Sequence, residues 1–210
     1  RNWRARSELK FLIFGQNVRF EPTMADKETG RKSFFGKLMD VISGNPTSST
    51  LNQDTTGQFA PKENDPIDVR FVEQFTHNDG KFLYCGTKNE LIDGLKNIIE
   101  EHQLQALGTP DGDLMSLLKG YGIPKLYDDL KECDAIFTNC EALIAFTGGI
   151  MINEHQTKGI RIDDMPKYHI VFGKTSQLVE SLHDAMSRVN HLYRNNRPGQ
   201  ISVLKGPKDE

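Results

Sequence analysis

The stretch that decides the fold reads Asp134-Ala-Ile-Phe-Thr-Asn-Cys-Glu-Ala-Leu-Ile-Ala-Phe-Thr-Gly-Gly-Ile-Met-Ile152. Two segments, Asp134 to Thr138 and Ile150 to Asn153, are short apolar runs of the kind that forms buried strands. A turn of small residues, Thr147-Gly148-Gly149, leads into the second run. The stretch therefore predicts two buried strands, the second entered through a glycine turn.

Outward from this stretch, apolar runs alternate with helical patterns. Helices are predicted from about Ile67, from Thr87 as N-cap with Glu90 completing a capping box, and from Thr175. Another is predicted at Thr109-Pro110-Asp111, because Pro fits the first helical position. Further strands are predicted at Lys81 to Cys85, Gln103 to Leu107, Lys125 to Tyr127, Tyr168 to Phe172 and Gln200 to Leu204. This alternation predicts an α/β fold in three layers, α/β/α, with a mostly parallel sheet.

The first 66 residues are interpreted as three segments that precede the domain. Residues 1–23 are interpreted as an upstream extension, residues 33–43 as a short amphipathic helix, and residues 44–66 as a mobile linker poor in aliphatic side chains. Residues 67–210 are predicted to form a single α/β domain. With 210 residues, a second full domain would be crowded.

Charge and cysteine content exclude several classes of protein. The 26 basic and 29 acidic residues are interspersed, which argues against a nucleic-acid surface. Cys85, Cys133 and Cys140 have no paired Cys-x-x-Cys spacing, so no disulfide framework, zinc motif or iron–sulfur motif of its own is expected. The six histidines also lack metal-ligand spacing. The apolar run Phe11 to Phe14 is too short to span a membrane. We therefore expect a cytoplasmic protein without a membrane span.

Three segments resemble the LUD domain, the lactate-utilisation family that includes lactate utilization protein C. They are Asp134 to Ile152, Arg161 to Pro166 and His169 to Gly173. In that family a segment of the form IA-x-TG leads into a strand, and an Arg and a Pro precede a further strand. The resemblance implies the fold of the NagB/RpiA/CoA-transferase group. Family members continue into one more strand near the end, so either that strand is missing here or a segment such as Lys10 to Phe14 takes the edge position.

An anion site is predicted where loops follow the strands, since ligands of open α/β sheets bind there. Consecutive glycines let backbone N–H groups approach an anion, so Thr147, Gly148 and Gly149 are assigned to ligand binding. The alternative is a tight strand-to-strand turn. Arg161, at the position of the family's Arg, is suited to a carboxylate or phosphate. Its alternative role is a surface pair with Asp163 or Asp164.

Catalysis, if present, is assigned to Glu141. Carboxylates act as bases or nucleophiles in CoA transferases of the related fold, and Asn139 is its neutral hydrogen-bonding neighbour. The alternative is an ordinary helix-start or loop residue, and Cys140 is interpreted as a small buried hydrophobe. Phe146 stands where the family commonly has an acidic residue, and the family's terminal histidine is absent. Both departures argue against independent catalysis.

The resemblance implies an accessory component of L-lactate oxidation to pyruvate that binds a small anionic ligand. Iron–sulfur and oxidase subunits would be its partners and would carry the electrons, and homo-oligomers are a further expectation. Two alternatives stay open. One is a small-molecule enzyme related to CoA transferases or sugar-phosphate isomerases, and the other is a non-catalytic binding or assembly protein.

Overall fold

The computed structural model describes the backbone of residues 11–15 and the residues 65–123, 126–127, 130 and 132–205. The predicted helix at residues 33–43 and the predicted linker as far as residue 64 lie outside the described residues. The division into an extension and a domain that begins at residue 67 stays a prediction.

Helices and strands both occur within the described residues, so the α/β class is confirmed. The helices are α1 (Ile67–His77), α2 (Lys88–Glu101), α3 (Gly112–Gly120), α4 (Glu154–Thr157) and α5 (Leu182–Leu192). The strands are β1 (Phe11–Gly15), β2 (Lys81–Cys85), β3 (Leu107–Gly108), β4 (Leu126–Tyr127), β5 (Ala135–Asn139), β6 (Ala142–Ile144), β7 (Gly149–Asn153), β8 (Tyr168–Lys174), β9 (Leu178–Val179) and β10 (Ile201–Leu204).

The first sheet has the strand order β2-β1-β8-β5-β3-β4. Neighbours among β8, β5, β3 and β4 pair in parallel. β1 pairs antiparallel with both β2 and β8, so β2 also runs in the direction of β8. Apart from β1, the first sheet is therefore parallel, as the alternation of strands and helices predicts.

The second sheet has the order β10-β7-β6-β9 and is mixed. β6 and β7 form an antiparallel hairpin, β10 pairs antiparallel with β7, and β9 pairs in parallel with β6. The chain passes from the first sheet to the second between Asn139 and Ala142. The layering of the NagB/RpiA/CoA-transferase group stays a prediction.

The second sheet packs on a different helix at each face. Ile150 and Ile152 of β7 lie in one apolar cluster with Phe71 of α1. Met151 between them lies in another cluster with Ala185 of α5. Because successive side chains of a strand point to opposite faces, the second sheet lies between α1 and α5.

Helix α1 also contacts the first sheet, whose other face carries α2. Phe71 shares its cluster with Val171 of β8. Leu91 and Leu95 of α2 lie in a separate cluster with Phe137 of β5. Helix α1 therefore joins the two sheets.

One predicted helix start has a different cap from the one expected, and another is wrong. Helix α3 begins at Gly112, because the carboxylate of Asp111 accepts hydrogen bonds from the two backbone N–H groups of residues 113 and 114 and so forms the N-cap. Pro110 precedes that cap instead of occupying the first helical position. The long helix expected from Thr175 begins only at Leu182, where Ser181 and Asp184 form a capping box.

The residues between Thr175 and Leu182 do not begin the long helix because two of them pair with β6. Thr175–Gln177 form one 3-10 turn, and Leu178 and Val179 then pair in parallel with Leu143 and Ile144. In this pairing both side chains are partly buried.

Two other local expectations had mixed outcomes. Thr87 is the N-cap of α2, as predicted, and its hydroxyl accepts a hydrogen bond from Glu90 N. The Glu90 carboxylate completes the cap on Gly86 N instead of on the cap residue itself. The segment predicted at the sheet edge forms β1, but it lies between β2 and β8, so the predicted edge position is wrong.

Candidate functional site

Glu141 lies where the chain leaves the first sheet and enters the second. It follows β5 by two residues, and its backbone N–H donates to Met151 O at 2.8 Å. Only 5% of Glu141 is exposed. A carboxyl group is rarely buried to this degree unless other groups satisfy it, so its partners define the candidate site.

Three donors converge on one oxygen of Glu141. Oε2 accepts hydrogen bonds from Tyr193 Oη at 2.8 Å, Gln156 Nε2 at 3.1 Å and Asn153 Nδ2 at 3.2 Å. The other oxygen, Oε1, lies 3.9 Å from Nε of Arg188. We call these five residues the Glu141 cluster. They come from the β5–β6 connection, the β7–α4 junction and α5.

The start of α4 explains why two amides point at the carboxylate. Asn153 Oδ1 accepts from His155 N, and Gln156 Oε1 accepts from Asn153 N, so both side-chain carbonyls cap the helix. Their NH₂ groups remain and donate to Glu141. The same two side chains therefore cap α4 and satisfy the buried carboxylate.

Helix α5 supplies the other half of the cluster. Tyr193 is the C-cap of α5, and its ring stacks on that of His155 with centroids 4.9 Å apart. Burial and then the contact with Glu141 raise the pKa of the Tyr193 hydroxyl. This hydroxyl therefore stays protonated and keeps donating to the carboxylate at neutral pH.

Arg188 is only partly satisfied by the residues that the structure describes. One terminal nitrogen donates to Ser176 O at 3.1 Å, whereas Nε is buried without an acceptor among them. The 3.9 Å between Nε and Glu141 Oε1 is too long for a direct hydrogen bond. The side chain as a whole is 36% exposed.

Two titratable groups near the end of β5 are held in their neutral forms. Burial, with the charge of Glu141 as a second cause, raises the pKa of the Cys140 thiol to about 12. Burial lowers the pKa of His169 to about 4, and its Nε2 lies 2.7 Å from Thr138 Oγ1. Cys140 is therefore a neutral thiol and His169 a neutral imidazole at neutral pH.

The glycine turn packs against a helix. Residues 145–148 connect β6 to β7, and Asn78 at the end of α1 donates to Thr147 O at 2.9 Å. A Cβ on Gly148 would lie 2.4 Å from Phe75 N. The turn therefore joins the two strands of one hairpin and packs on α1.

The structure does not bring Glu141 and the glycine turn together. Glu141 directly precedes β6, whereas the turn follows β6, and Gly149 is already the first residue of β7, paired with Ile144. The two therefore lie at opposite ends of one hairpin. Phe146, in the position where the family commonly has an acidic residue, is 64% exposed in this turn.

Arg161 and Asn139 have other partners. Arg161 is the N-cap residue of the 3-10 turn Ile162–Asp164, its side chain is 70% exposed, and it forms a loose ion pair of 3.8 Å with Asp163. Asn139 Nδ2 donates to Asp111 Oδ2 at 2.9 Å and so joins the end of β5 to the start of α3. Ligand binding by Asn139, Arg161 and the glycine turn stays a prediction.

Four residues of the Glu141 cluster escaped the sequence analysis. Asn153 and Gln156 carried a signal, because an Asn followed three residues later by Gln is a capping-box pattern. Arg188 and Tyr193 carried none, since nothing local links a helix 47 or more residues away to Glu141.

Metal sites and membrane spans were searched for in the described part of the chain. No group of three or more His, Cys, Asp and Glu side chains there could hold a metal ion. No helix in that part is long and apolar enough to cross a membrane.

Comparison with known proteins identifies the family. The family model described as LUD domain matches residues 69–210. A similar solved structure is a crystal structure of a DUF162 family protein from Deinococcus radiodurans at 1.70 Å resolution. It is 19% identical, with a TM-score of 0.44 over 67% of this chain and 87% of that one. No curated protein matches the chain. Because the family model covers well over half of its residues, the chain belongs to the LUD domain family.

Proposed function

We propose that this protein is an accessory component of L-lactate oxidation to pyruvate in the cytoplasm, and that it binds a small anionic ligand. Membership of the LUD family supports the link to lactate. Electron transfer is assigned to iron–sulfur and oxidase partner subunits, because the three cysteines of this chain lack the spacing of a cluster motif. The observation that carries the ligand proposal is the partly satisfied Arg188 beside the buried carboxyl group of Glu141.

The two unsatisfied groups of the cluster suit a 2-hydroxy acid. A guanidinium recognises a carboxylate through its planar array of N–H donors. Glu141 Oε1, which accepts no hydrogen bond from the described residues, can accept one from a hydroxyl group. L-lactate offers both groups on adjacent carbons, and pyruvate offers the carboxylate alone.

The state of the neighbouring titratable groups supports an accessory role. A general acid or base works best when its pKa lies near the operating pH. Cys140, next to Glu141 in the chain, and His169, which pairs with Ile136 in the first sheet, have their pKa values moved away from neutrality by burial. The chemistry of hydride or electron removal is therefore assigned to the partners.

A small-molecule enzyme that uses Glu141 as base or nucleophile is the second candidate. The carboxyl group is in a loop that follows a strand of the first sheet, which is where such enzymes place their groups. However, three hydrogen bonds hold Oε2, and only 5% of the residue is exposed. An incoming substrate would have to reach Oε1 beside Arg188.

Ligand binding is tested by calorimetry with L-lactate and pyruvate as probes. Arg188→Gln should weaken binding by about 10- to 150-fold, the equivalent of one charge-assisted hydrogen bond. Arg161→Gln is the competing variant, because Arg161 is the residue that the family resemblance assigns to the ligand and its side chain is 70% exposed. Loss at Arg161 alone would instead place the site at the position that the family resemblance implies.

The functional assignment is tested with cell extracts. Extracts from host cells that lack the protein should lose L-lactate-dependent reduction of a dye acceptor, and the purified chain should restore it. The purified chain alone should show no turnover. Turnover by the chain alone, abolished by Glu141→Gln and retained by Cys140→Ala, would favour the enzyme. Extracts that are unaffected by the deletion would remove lactate oxidation from consideration.

A further inference from the structure

A single 3-10 turn contacts the segments that carry both charged groups of the Glu141 cluster. The turn, Thr175–Gln177, directly follows β8. The side-chain amide of Gln177 donates to the backbone carbonyl of Cys140, the residue just before the buried carboxylate. The backbone carbonyl of Ser176 accepts from a terminal nitrogen of Arg188 at 3.1 Å. The carboxyl group and the guanidinium are therefore tied to neighbouring residues of one turn.

The partners of the Gln177 amide fix its orientation. Its Oε1 accepts a hydrogen bond from Lys174 N at 2.8 Å, so this atom must be the oxygen. The NH₂ group is then the part that donates to Cys140 O. The thiol of Cys140 also lies 3.7 Å from Oε1. Gln177 thus ties the end of β8 to the segment where the chain passes from the first sheet to the second.

The two charged groups stand slightly too far apart for a direct hydrogen bond. Arg188 Nε lies 3.9 Å from Glu141 Oε1, whereas a charge-assisted N–H···O bond is about 2.7–2.9 Å long. Nε is buried and has no acceptor among the described residues. Opposite charges attract more strongly where water is excluded, so contacts from the surrounding residues must keep this gap open.

Contacts hold the gap from both sides. On the carboxyl side, Glu141 N donates to Met151 O, and three donors hold Oε2. The carbonyl of Cys140 is held there by Gln177. On the other side, the carbonyl of Ser176 holds the guanidinium. The 3-10 turn is the element that contacts both sides, so its hydrogen bonds relate the position of one charge to that of the other.

We propose that Gln177 is a positioning residue, which holds the guanidinium of Arg188 and the carboxyl group of Glu141 apart as an open ligand site. This role rests on the proposed function, in which a 2-hydroxy acid binds to these two groups. Without the amide, the segment before Glu141 loses its tie to the turn, and the attraction between the charges closes the gap into an ion pair. A ligand must then break that ion pair before it binds, which lowers its affinity.

The test substitution is Gln177→Met, because Met is unbranched and of similar length but cannot form the two amide hydrogen bonds. Gln105→Met is the matched control at an exposed position before β3. The gap is followed without any ligand through the Nε–Hε signal of Arg188 in a nitrogen–proton NMR spectrum, which Arg188→Gln identifies by its absence. Affinity for L-lactate is measured by calorimetry on the same samples.

In Gln177→Met, the Hε signal of Arg188 should move downfield, because Hε then donates to the carboxylate of Glu141. Affinity for L-lactate should fall by about tenfold, the equivalent of one hydrogen bond that the ligand no longer gains. Gln105→Met should keep the signal and the affinity of the wild type.

An unmoved Arg188 signal in Gln177→Met would overturn the proposal, because a residue that only stabilises the turn lowers the melting temperature and leaves the gap as it is. A moved signal with unchanged affinity for L-lactate would overturn it as well. If the wild type binds no L-lactate, the proposed ligand is wrong, and a moved signal would still support the spacing role of Gln177.

A second variant decides if Gln177→Met fails to fold. Gln177→Asn keeps the amide, but its side chain is one methylene shorter and cannot reach Lys174 N and Cys140 O together. It should move the Arg188 signal in the same direction. An unmoved signal in this variant would contradict the positioning role.

Discussion

The substitution Gly148→Ala tests whether the turn between β6 and β7 is held against α1. Gly148 has a φ of +63°, in the left-handed region that costs a residue with a side chain about 1–2 kcal/mol. A new Cβ would also lie 2.4 Å from Phe75 N and 2.5 Å from the carbonyl carbon of Gln74. Both are backbone atoms of α1, so rotation of a side chain cannot relieve the contact.

The expected loss of stability combines the two effects. Forcing extra volume into a packed site costs about 1–3 kcal/mol. Together with the backbone conformation, this lowers the free energy of unfolding by about 2–5 kcal/mol. The melting temperature should fall by about 2–4 °C for each kcal/mol in a protein of this size.

Gly159→Ala is the matched control for the backbone conformation alone. Gly159 has a φ of +81°, and a Cβ there would meet nothing within 4 Å. Its replacement should cost only about 1–2 kcal/mol. Urea denaturation followed by circular dichroism measures both variants on one scale. Equal losses at the two positions would show that the turn does not press against α1, and the contact argument would be refuted.

Two further substitutions test the buried polar groups. Tyr193→Phe removes the 2.8 Å hydrogen bond to the buried carboxyl group and should lower the free energy of unfolding by about 1.5–3 kcal/mol. Tyr127 is exposed, so Tyr127→Phe should change the free energy of unfolding by less than about 0.5 kcal/mol. Equal effects of the two substitutions in urea denaturation would contradict the importance of this hydrogen bond. Burial lowers the pKa of His169 from 6.5 to about 4. Between these two pH values the unfolded chain binds a proton on this imidazole and the folded chain does not. The free energy of unfolding should therefore fall by about 3 kcal/mol from this group as the pH falls from 6.5 to 4. His169→Gln should flatten this dependence of stability on pH, whereas His183→Gln, at an exposed position, should not. If stability depends on pH in the same way in the His169→Gln variant as in the wild type, His169 is not held neutral.

Local patterns predicted several elements well because the deciding contacts lie within a few residues. The strand at Lys81–Cys85 has the predicted bounds. The N-cap at Thr87 also depends only on its own side chain and a backbone N–H three residues later. The start of α5 failed for the opposite reason. Thr175 and Ser181 both carry cap chemistry, and the pairing of Leu178 with β6 decided between them.

The candidate site was predicted only in part. The stretch around Glu141 was identified because strand-following loops in α/β folds are where ligands bind. Its hydrogen-bond partners lie 12 to 52 residues further along the chain, so no local pattern could reveal Arg188 or Tyr193. The two neighbouring glycines had the composition of an anion site. Their contact with α1 depends on how a hairpin packs against a helix some 70 residues earlier.

The sequence by itself determined the family and the α/β class, because both follow from strand and helix patterns and from short motifs that are read along the chain. Only the tertiary structure decided that the carboxyl group of Glu141 is buried under three donors, that the glycine turn packs on α1, and that β1 lies inside the first sheet. Each of these depends on free energies of contact between segments distant in sequence, where burial and backbone pairing outweigh what any one segment prefers alone.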